Sequence, residues 1–290
     1  MSPAVRLKRA GVAWTVVLLG AAASPAVPAA EQPAPAITWE VLEPGLELGN
    51  AHAPIRAETG DSRIRILRID PARFELQLLN RSALPDGPPL TPKEWSRRHG
   101  LVAVINASLY QTDHRTSVSL MRSRTHTNNP RLSKHNAVLL FDRLDTDVPP
   151  VQIVDRTCRD LAALQGHYGA MVQSIRMVSC TGANVWSQQP NKWSTAAVGI
   201  DQHGRVLFIH VRSPFSTHDL IDGLLTLPLD LREAMYVEGG PEAQLYVNAG
   251  GRELELVGSH GSNFAGIENN YALPIPNALG VRRVATSPGS

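Results

Sequence analysis

The chain has 290 residues, of which 43% are hydrophobic and 19% are charged, so it can bury a sizeable core and is not disordered overall. It carries 28 Lys and Arg against 26 Asp and Glu, a formal net charge of +2. This near balance excludes a protein that coats nucleic acid, which would need a large basic excess.

The first thirty residues have the order of a secretory signal peptide. Arg6, Lys8 and Arg9 precede an apolar run from Gly11 to Ala23, and small residues with two prolines follow. The run is shorter than the ~20 residues that a membrane-spanning helix needs, which disfavours an uncleaved anchor without removing that alternative. We therefore expect a periplasmic or secreted protein with no stable membrane anchor.

The two cysteines agree with export to an oxidising compartment. Cys158 and Cys180 both lie in the exported part, and we predict that they form a disulfide. The alternative is a pair of buried free thiols. The sequence contains no CxxC pair and none of the common motifs for metal or nucleotide binding, so we expect no metal and no cofactor.

The first half of the sequence predicts strands with one short helix. We divide the chain into a signal peptide at 1–30, an N-terminal extension at 31–60, in which 37–48 can pair as a first strand, one domain at 61–275 and a loose tail at 276–290. Alternating polar and apolar residues predict a hairpin of Arg63–Asp70 and Phe74–Leu79. A capping box that begins at Thr91 predicts a helix to about His99. The apolar run Leu101–Ile105 predicts a buried strand.

The second half again contains more strands than helices. A turn at 201–204 joins two predicted strands, and a second capping box at Ser216 opens a helix with an apolar stripe. The other expected elements are strands at 137–141, 151–154, 171–178, 235–237 and 244–247, and a short helix at 160–164. Regular strand–helix alternation is absent. We therefore predict an α+β fold, a single domain with a mixed β-sheet core and helices packed outside.

Polar residues at the ends of these strands are the candidates for chemistry, because strands hold polar groups rigidly. The candidates are Asn106, Arg212, the pair His218 and Asp219, and Glu238 before Gly239 and Gly240. Each also has a structural interpretation: Asn106 as a turn residue, Arg212 as a surface charge and Asp219 as part of a helix cap. A carboxylate at Glu238 has few structural roles. The two glycines after it also allow the backbone to approach a ligand closely, so Glu238 is a candidate for a catalytic or binding role.

Four segments together resemble the phosphodiester glycosidase domain family. They are VAVINASLY at 102–110, STAAVGIDQHGRVLFIHVRSP at 194–214, STHDLIDGLL at 216–225 and MYVEGGPEAQLYV at 235–247. The resemblance implies a hydrolase that releases a sugar from a phosphodiester. It covers about half of the chain, and the order and spacing of the four segments are more specific than any one of them.

The resemblance also assigns roles, residue by residue. Asn106 and Tyr110 match the first family motif, Arg212 and Ser216 match the second and third, and Gly239 and Gly240 match the last. The chain departs from the family at Ser108, where glycine is usual, at Thr195, where arginine is usual, and at Glu238, where aspartate is usual. Arg122 or Arg176 is our candidate to replace the missing arginine.

The residues and the resemblance lead to one main functional hypothesis. Arg212, with Arg122 or Arg176, would hold the phosphate of a carbohydrate or glycosyl-phosphate substrate. Glu238 would act as acid/base or stabilise oxocarbenium-like charge. His218 or Asp219 would supply a second proton-transfer group. The alternative is a non-catalytic envelope protein that binds a polysaccharide on the same scaffold, and a metal-dependent phosphodiesterase ranks last.

Overall fold

The computed structural model describes residues 36–84, 87–259 and 271–285, so the predicted signal peptide lies outside the described residues. Three α-helices are described: α1 Pro92–His99, α2 Leu161–Leu164 and α3 Thr217–Thr226. The strands in the described part of the chain are β1 Ile37–Glu43, β2 Leu46–His52, β3 Arg63–Ile69, β4 Phe74–Asn80, β5 Ala103–Asn106, β6 Met121–Arg122, β7 Thr127–Asn129, β8 Ala137–Arg143, β9 Gln152–Asp155, β10 Tyr168–Val178, β11 Trp193–Asp201, β12 Val206–Phe215, β13 Leu231–Gly239, β14 Gln244–Ala249, β15 Arg252–Val257 and β16 Asn277–Arg283.

The strands form two sheets. The large sheet has eleven strands in the order β1-β2-β3-β12-β11-β13-β10-β6-β7, with β8 also paired to β10 and β9 paired to β8. The small sheet has five strands in the order β15-β14-β5-β16-β4. One hydrophobic cluster contains side chains of both sheets, such as Phe208 and Val237 from the large one and Ile105, Leu245 and Leu279 from the small one. The two sheets therefore pack face to face, with the main core between them.

The helices cover the outer faces of this sandwich, as the sequence predicts. Leu220, Ile221 and Leu224 of α3 pack on the outer face of the large sheet, and Trp95 of α1 packs on the small one. The capping box of α1 is present, with the Thr91 side chain and Glu94 bonded to each other's backbone N–H groups. The helices are minor elements, however, and the protein is predominantly β.

The sheets differ from the predicted mixed core, because every strand pair between described residues is antiparallel. The expected strands β3 and β4 are present, but they do not form a hairpin. Strand β3 pairs with β2 and β12 in the large sheet, whereas β4 pairs with β16 in the small one. The turn after Asp70 thus carries the chain from one sheet to the other.

Two predicted boundaries also differ from the structure. Residues 37–52, assigned to an extension, form β1 and β2 at one edge of the large sheet. Residues 277–283, assigned to a loose tail, form β16 between β4 and β5. Ala278, Leu279 and Val281 are fully buried there. The apolar pattern of this short strand is hard to see in sequence because the strand begins with Asn277 and ends with two arginines, Arg282 and Arg283.

The disulfide between Cys158 and Cys180 is present, with 22 residues of sequence separation, and confirms the predicted pairing. No helix among the described residues is long and apolar enough to cross a membrane.

Candidate functional site

Glu238 lies on the face of the large sheet that meets the small sheet. Its strand partner is Ala196 of β11, and Ala196 also pairs with His210 of β12. Directly paired residues share a face of a sheet, and Ala196 belongs to the core between the two sheets. A β-bulge at this point sets Val237 and Glu238 together opposite Ala196, which turns the carboxyl group inward.

Burial raises the pKa of the Glu238 carboxyl group. The side chain is only 6% exposed, and its Oε1 accepts a hydrogen bond of 3.0 Å from the Gly239 N–H. Loss of solvent raises the pKa of Glu238 to about 8, against the lowering effect of the Gly239 bond, and the charge of Glu242 adds to the rise. The carboxyl group therefore keeps its proton at neutral pH and can donate it.

Glu242 and Tyr110 stand beside Glu238. The Tyr110 hydroxyl donates a hydrogen bond to the Glu242 carboxylate, and burial, Glu242 and Glu238 together raise the pKa of Tyr110 well above its usual value. Both side chains line an open pocket of about 480 Å³, which also contains Arg81, Asp113 and His114. This volume is in the range of small-ligand sites. The His114 ring lies 5.3 Å from the Tyr110 ring, centroid to centroid.

Asn106 holds the turn that carries Glu242. Its Oδ1 accepts from the Gln244 N–H at 2.8 Å, and its Nδ2 donates to the Glu242 carbonyl oxygen at 2.9 Å. The residue is 2% exposed, so both ends of the amide are used inside the protein. Asn106 is therefore a positioning residue that ties the end of β5 to the turn between β13 and β14. Asn106 therefore has the structural role expected of a turn residue, and the turn that it holds contains Glu242.

The two glycines of this turn are required by the fold. Gly240 has a φ of +63°, and a Cβ on Gly239 would collide with the Tyr236 hydroxyl. The space that Gly239 leaves is used by Tyr236, a residue of the same strand. We name the group formed by Asn106, Tyr110, Glu238 and Glu242 the Glu238 site.

Arg212 lines a second pocket, of about 310 Å³, on the same sheet. Its Nη1 donates to the carbonyl oxygens of Val257 at 2.8 Å and Gly258 at 3.3 Å. The pocket also contains Asp61, Arg63, Arg65, His210, Glu255 and Leu256. His210 is buried, which lowers its pKa to about 4, and its Nε2 donates to the Ala243 carbonyl at 3.1 Å. His210 is thus neutral, and it ties β12 to the residue that precedes β14.

Ser216 is the N-cap of α3, and His218 and Asp219 lie in its first turn, on the other face of the large sheet. The Ser216 hydroxyl caps the helix by accepting from the Asp219 N–H at 3.1 Å. Asp219 itself accepts from the Gln188 side chain at 2.7 Å. The His218 ring bonds the Trp186 carbonyl, and its Nε2 lies 3.2 Å from Asp222. The structure does not bring these three residues to Glu238, because the sheet separates them.

Arg176 and Arg122, the candidates to replace the arginine that is missing at Thr195, lie apart from each other. Arg176 donates to both carboxylate oxygens of Asp155 at 2.7 Å and to Thr157, next to the disulfide. Arg122 lies on β6, with β10 between it and the strand of Glu238. Asp155, Cys158 and Cys180 also form a group with metal-ligand spacing, but the disulfide consumes both thiols.

The comparisons with known proteins agree with this architecture. The sequence model of the phosphodiester glycosidase family matches residues 99–282, which is more than half of the chain. The protein belongs to the phosphodiester glycosidase family, a hydrolase scaffold, and the resemblance found in its sequence is confirmed. Comparison with curated proteins finds no match.

Two solved structures have a similar fold. The catalytic domain of zebrafish N-acetylglucosamine-1-phosphodiester alpha-N-acetylglucosaminidase, auto-inhibited by its pro-peptide, superposes with a TM-score of 0.56 at 11% identity, over 87% of this chain and 85% of that one. A hypothetical protein from Synechocystis gives 0.52 at 12% identity, over 86% and 64%. At such low identity the likeness establishes the fold alone.

Sequence reasoning missed several residues of these pockets. His210 and Arg212 are two apart on β12, and Arg63 and Arg65 are two apart on β3, so each pair shares a face of the sheet. That alternation was a usable signal. The two pairs of residues lie in one pocket because strand β3 is hydrogen-bonded to strand β12. The local sequence does not show which strands are neighbours.

Proposed function

We propose that the protein hydrolyses the bond between a sugar and a phosphodiester, with Glu238 as the general acid. The observation that carries the proposal is the raised pKa of Glu238, because a carboxyl group protonated at neutral pH can protonate a leaving oxygen. Membership of the phosphodiester glycosidase family supports a carbohydrate-derived substrate.

In the proposed reaction, water attacks the anomeric carbon and the bond from that carbon to the phosphate oxygen breaks. Glu238 gives its proton to the departing oxygen, and the proton that the attacking water releases returns through solvent to Glu238, so the products are a free sugar and a phosphate monoester. The Glu242 carboxylate stabilises the positive charge that develops on the sugar ring. Tyr110 orients Glu242 through its hydrogen bond, and Arg212 faces the phosphate.

We also infer that the protein acts outside the cytoplasm. The disulfide between Cys158 and Cys180 supports this inference, because such bonds persist in oxidising compartments. The basic residues followed by an apolar run within residues 1–30 also support export. An intact-mass measurement of the protein recovered from the native host tests whether residues 1–30 are removed.

The enzymatic proposal is tested with hexosyl and N-acetylhexosaminyl esters of methyl phosphate, in both anomeric forms. Wild type should release free sugar, with activity falling as the pH rises through about 8. Glu238→Gln should lose at least ~100-fold in kcat, the scale of one general acid. The matched control is Glu40→Gln, an exposed glutamate on β1.

Three results are informative. Equal rates for wild type and Glu238→Gln would refute the acid role. Saturable binding of the esters without release of sugar would favour the alternative, a carbohydrate-binding protein on this scaffold. A loss of activity in the Glu40→Gln control would point to a general effect on folding, which a thermal melt separates from catalysis.

A further inference from the structure

The pocket of about 480 Å³ that Tyr110 and Glu242 line extends away from the proposed reacting centre. We name it the Arg81 pocket, after the arginine that also lines it. Glu238 is not among its lining residues, but it lies nearby, since the charge of Glu242 adds to the effect of burial in raising the pKa of Glu238. The Arg81 pocket is therefore a neighbour of the Glu238 carboxyl group and has room for a ligand of its own.

Arg81 presents unused hydrogen-bond donors to this pocket. Its backbone is fixed, because its N–H donates to the Pro276 carbonyl oxygen at 2.8 Å and its carbonyl oxygen accepts from the Leu84 N–H at 2.9 Å. Its guanidinium group is half-buried and makes no hydrogen bond or ion pair with any residue in the described part of the chain. Five N–H donors are therefore available to a ligand.

The same pocket contains acceptors that Arg81 does not reach. One oxygen of the Glu242 carboxylate accepts from the Tyr110 hydroxyl, and the other accepts no hydrogen bond from a described residue. The side chain and N–H of Thr116 donate to Asp113, which lowers the pKa of Asp113 and keeps it ionised at neutral pH. The pocket thus presents both signs of charge. This suits a neutral ligand that donates and accepts hydrogen bonds better than it suits an anion.

The remaining lining of the pocket is apolar and held in place. It is formed by Pro89, Leu273, Pro274 and Pro276. Proline has no N–H group, so these residues present mainly ring carbon. The Gln244 side chain bonds both the carbonyl oxygen of Leu273, at 2.9 Å, and its N–H, at 3.0 Å. A preformed apolar wall beside a few fixed polar groups is typical of small-ligand sites.

Two aromatic rings complete the lining. The rings of Tyr110 and His114 lie 5.3 Å apart at an angle of 46°. His114 has a φ of +51°, a left-handed conformation of the kind that clusters at ligand sites, and its N–H donates to the Gln111 carbonyl oxygen at 3.0 Å. A sugar ring matches this lining, because its hydroxyl groups donate and accept while its C–H faces pack on aromatic and proline rings.

We propose that the Arg81 pocket binds a second, uncharged sugar ring of the substrate, next to the ring whose bond to phosphate is cleaved. Arg81 donates to hydroxyl groups of this second ring, and Glu242 lies at the border between the two rings. The proposal rests on the function proposed for Glu238, and it makes the substrate a phosphodiester of at least a disaccharide. Arg81 and Pro89 precede residues 99–282, the part of the chain that the family model matches.

Binding of free disaccharides tests this subsite without turnover. The probes are cellobiose, maltose and lactose, measured by isothermal titration, with inorganic phosphate as the anionic comparison. Wild type should bind at least one of the disaccharides at a single site. Arg81→Gln should weaken that binding by ~10-fold, the scale of a lost charge-assisted hydrogen bond. The matched control is Arg73→Gln, an exposed arginine in the turn after β3, which loses the same charge and should bind as wild type does.

A kinetic arm asks whether the second ring belongs to a substrate. It compares the methyl phosphate diester of the disaccharide that binds with the diester of the single hexose. Wild type should have a KM lower by ~10-fold for the disaccharide ester. Arg81→Gln should reduce this preference, because it raises KM more for the disaccharide ester than for the hexosyl ester. Arg73→Gln should keep the ratio of wild type.

The outcomes separate the subsite from the acid role. Equal disaccharide binding by Arg81→Gln and wild type would overturn the proposal, as would binding of none of the three disaccharides by wild type. Phosphate binding that depends on Arg81 would also overturn it, because the pocket would then be an anion site. If disaccharide binding depends on Arg81 but wild type and Glu238→Gln release sugar at equal rates, the subsite stands and the acid role fails.

Discussion

The raised pKa of Glu238 predicts a distinctive dependence of stability on pH. We consider the substitution Glu238→Gln, which keeps the size of the side chain and an oxygen that can accept from Gly239. In the unfolded chain Glu238 loses its proton near its ordinary pKa of 4.5, whereas in the folded protein it keeps the proton to about pH 8. Between these values the folded state binds one proton more than the unfolded state.

The sign and size of the effect follow from this difference. Below pH 4.5 both states are protonated, and Glu238 adds no pH dependence. Above it, the free energy of unfolding of wild type falls by about 1.36 kcal/mol per pH unit until the folded group also ionises. From pH 4.5 to pH 7 the loss is about 3 kcal/mol. Glu238→Gln lacks this contribution, so its stability relative to wild type should rise by the same amount.

Urea denaturation of both proteins at several values from pH 4.5 to 7.5, with the disulfide intact, measures this difference. Titrating groups that do not interact with Glu238 cancel because they are common to the two proteins. Glu40→Gln is again the control, because its side chain is exposed on β1. Parallel stability curves for wild type and Glu238→Gln would refute the burial argument, and with it the basis for the general acid.

Two further predictions concern the neighbours of this site and the disulfide. Glu242→Gln removes a negative charge that raises the pKa of Glu238, so the alkaline limb of the kcat/KM profile should move to lower pH, by up to ~1 unit; a shift to higher pH would contradict the coupling. Cys158→Ser should lower the free energy of unfolding by about 3 kcal/mol, given the 22-residue separation of the two cysteines. Urea denaturation measures this change, wild type with reductant should reproduce it, and unchanged stability in both would contradict it.

Much of the local structure could be read from the sequence, because local hydrogen bonds set it. The capping box at Thr91 and the left-handed Gly100 delimit α1 as predicted. The turn after Asp201 joins β11 to β12, and Ser216 caps α3. In each case the deciding contacts lie within five residues, so the pattern of residue types contains the information.

The pairing of strands could not be read in the same way. Sequence alternation identified β3 and β4, but the choice between a hairpin and two different sheets depended on distant partners, β12 and β16. The sequence also did not show on which face of the large sheet α3 packs. Ser216, His218 and Asp219 are close to Arg212 in sequence, yet the helix packs on the outer face of the sheet, away from Glu238.

The sequence by itself determined the balance of charge, the cysteine pair, the family and the importance of the turn at Glu238. Only the tertiary structure decided that Glu238 is buried beside Glu242, and that Arg81, from a distant part of the chain, lines a pocket with Glu242. The physical reason is that a pKa depends on solvent and on nearby charges. Packing of strands from distant parts of the chain supplies both.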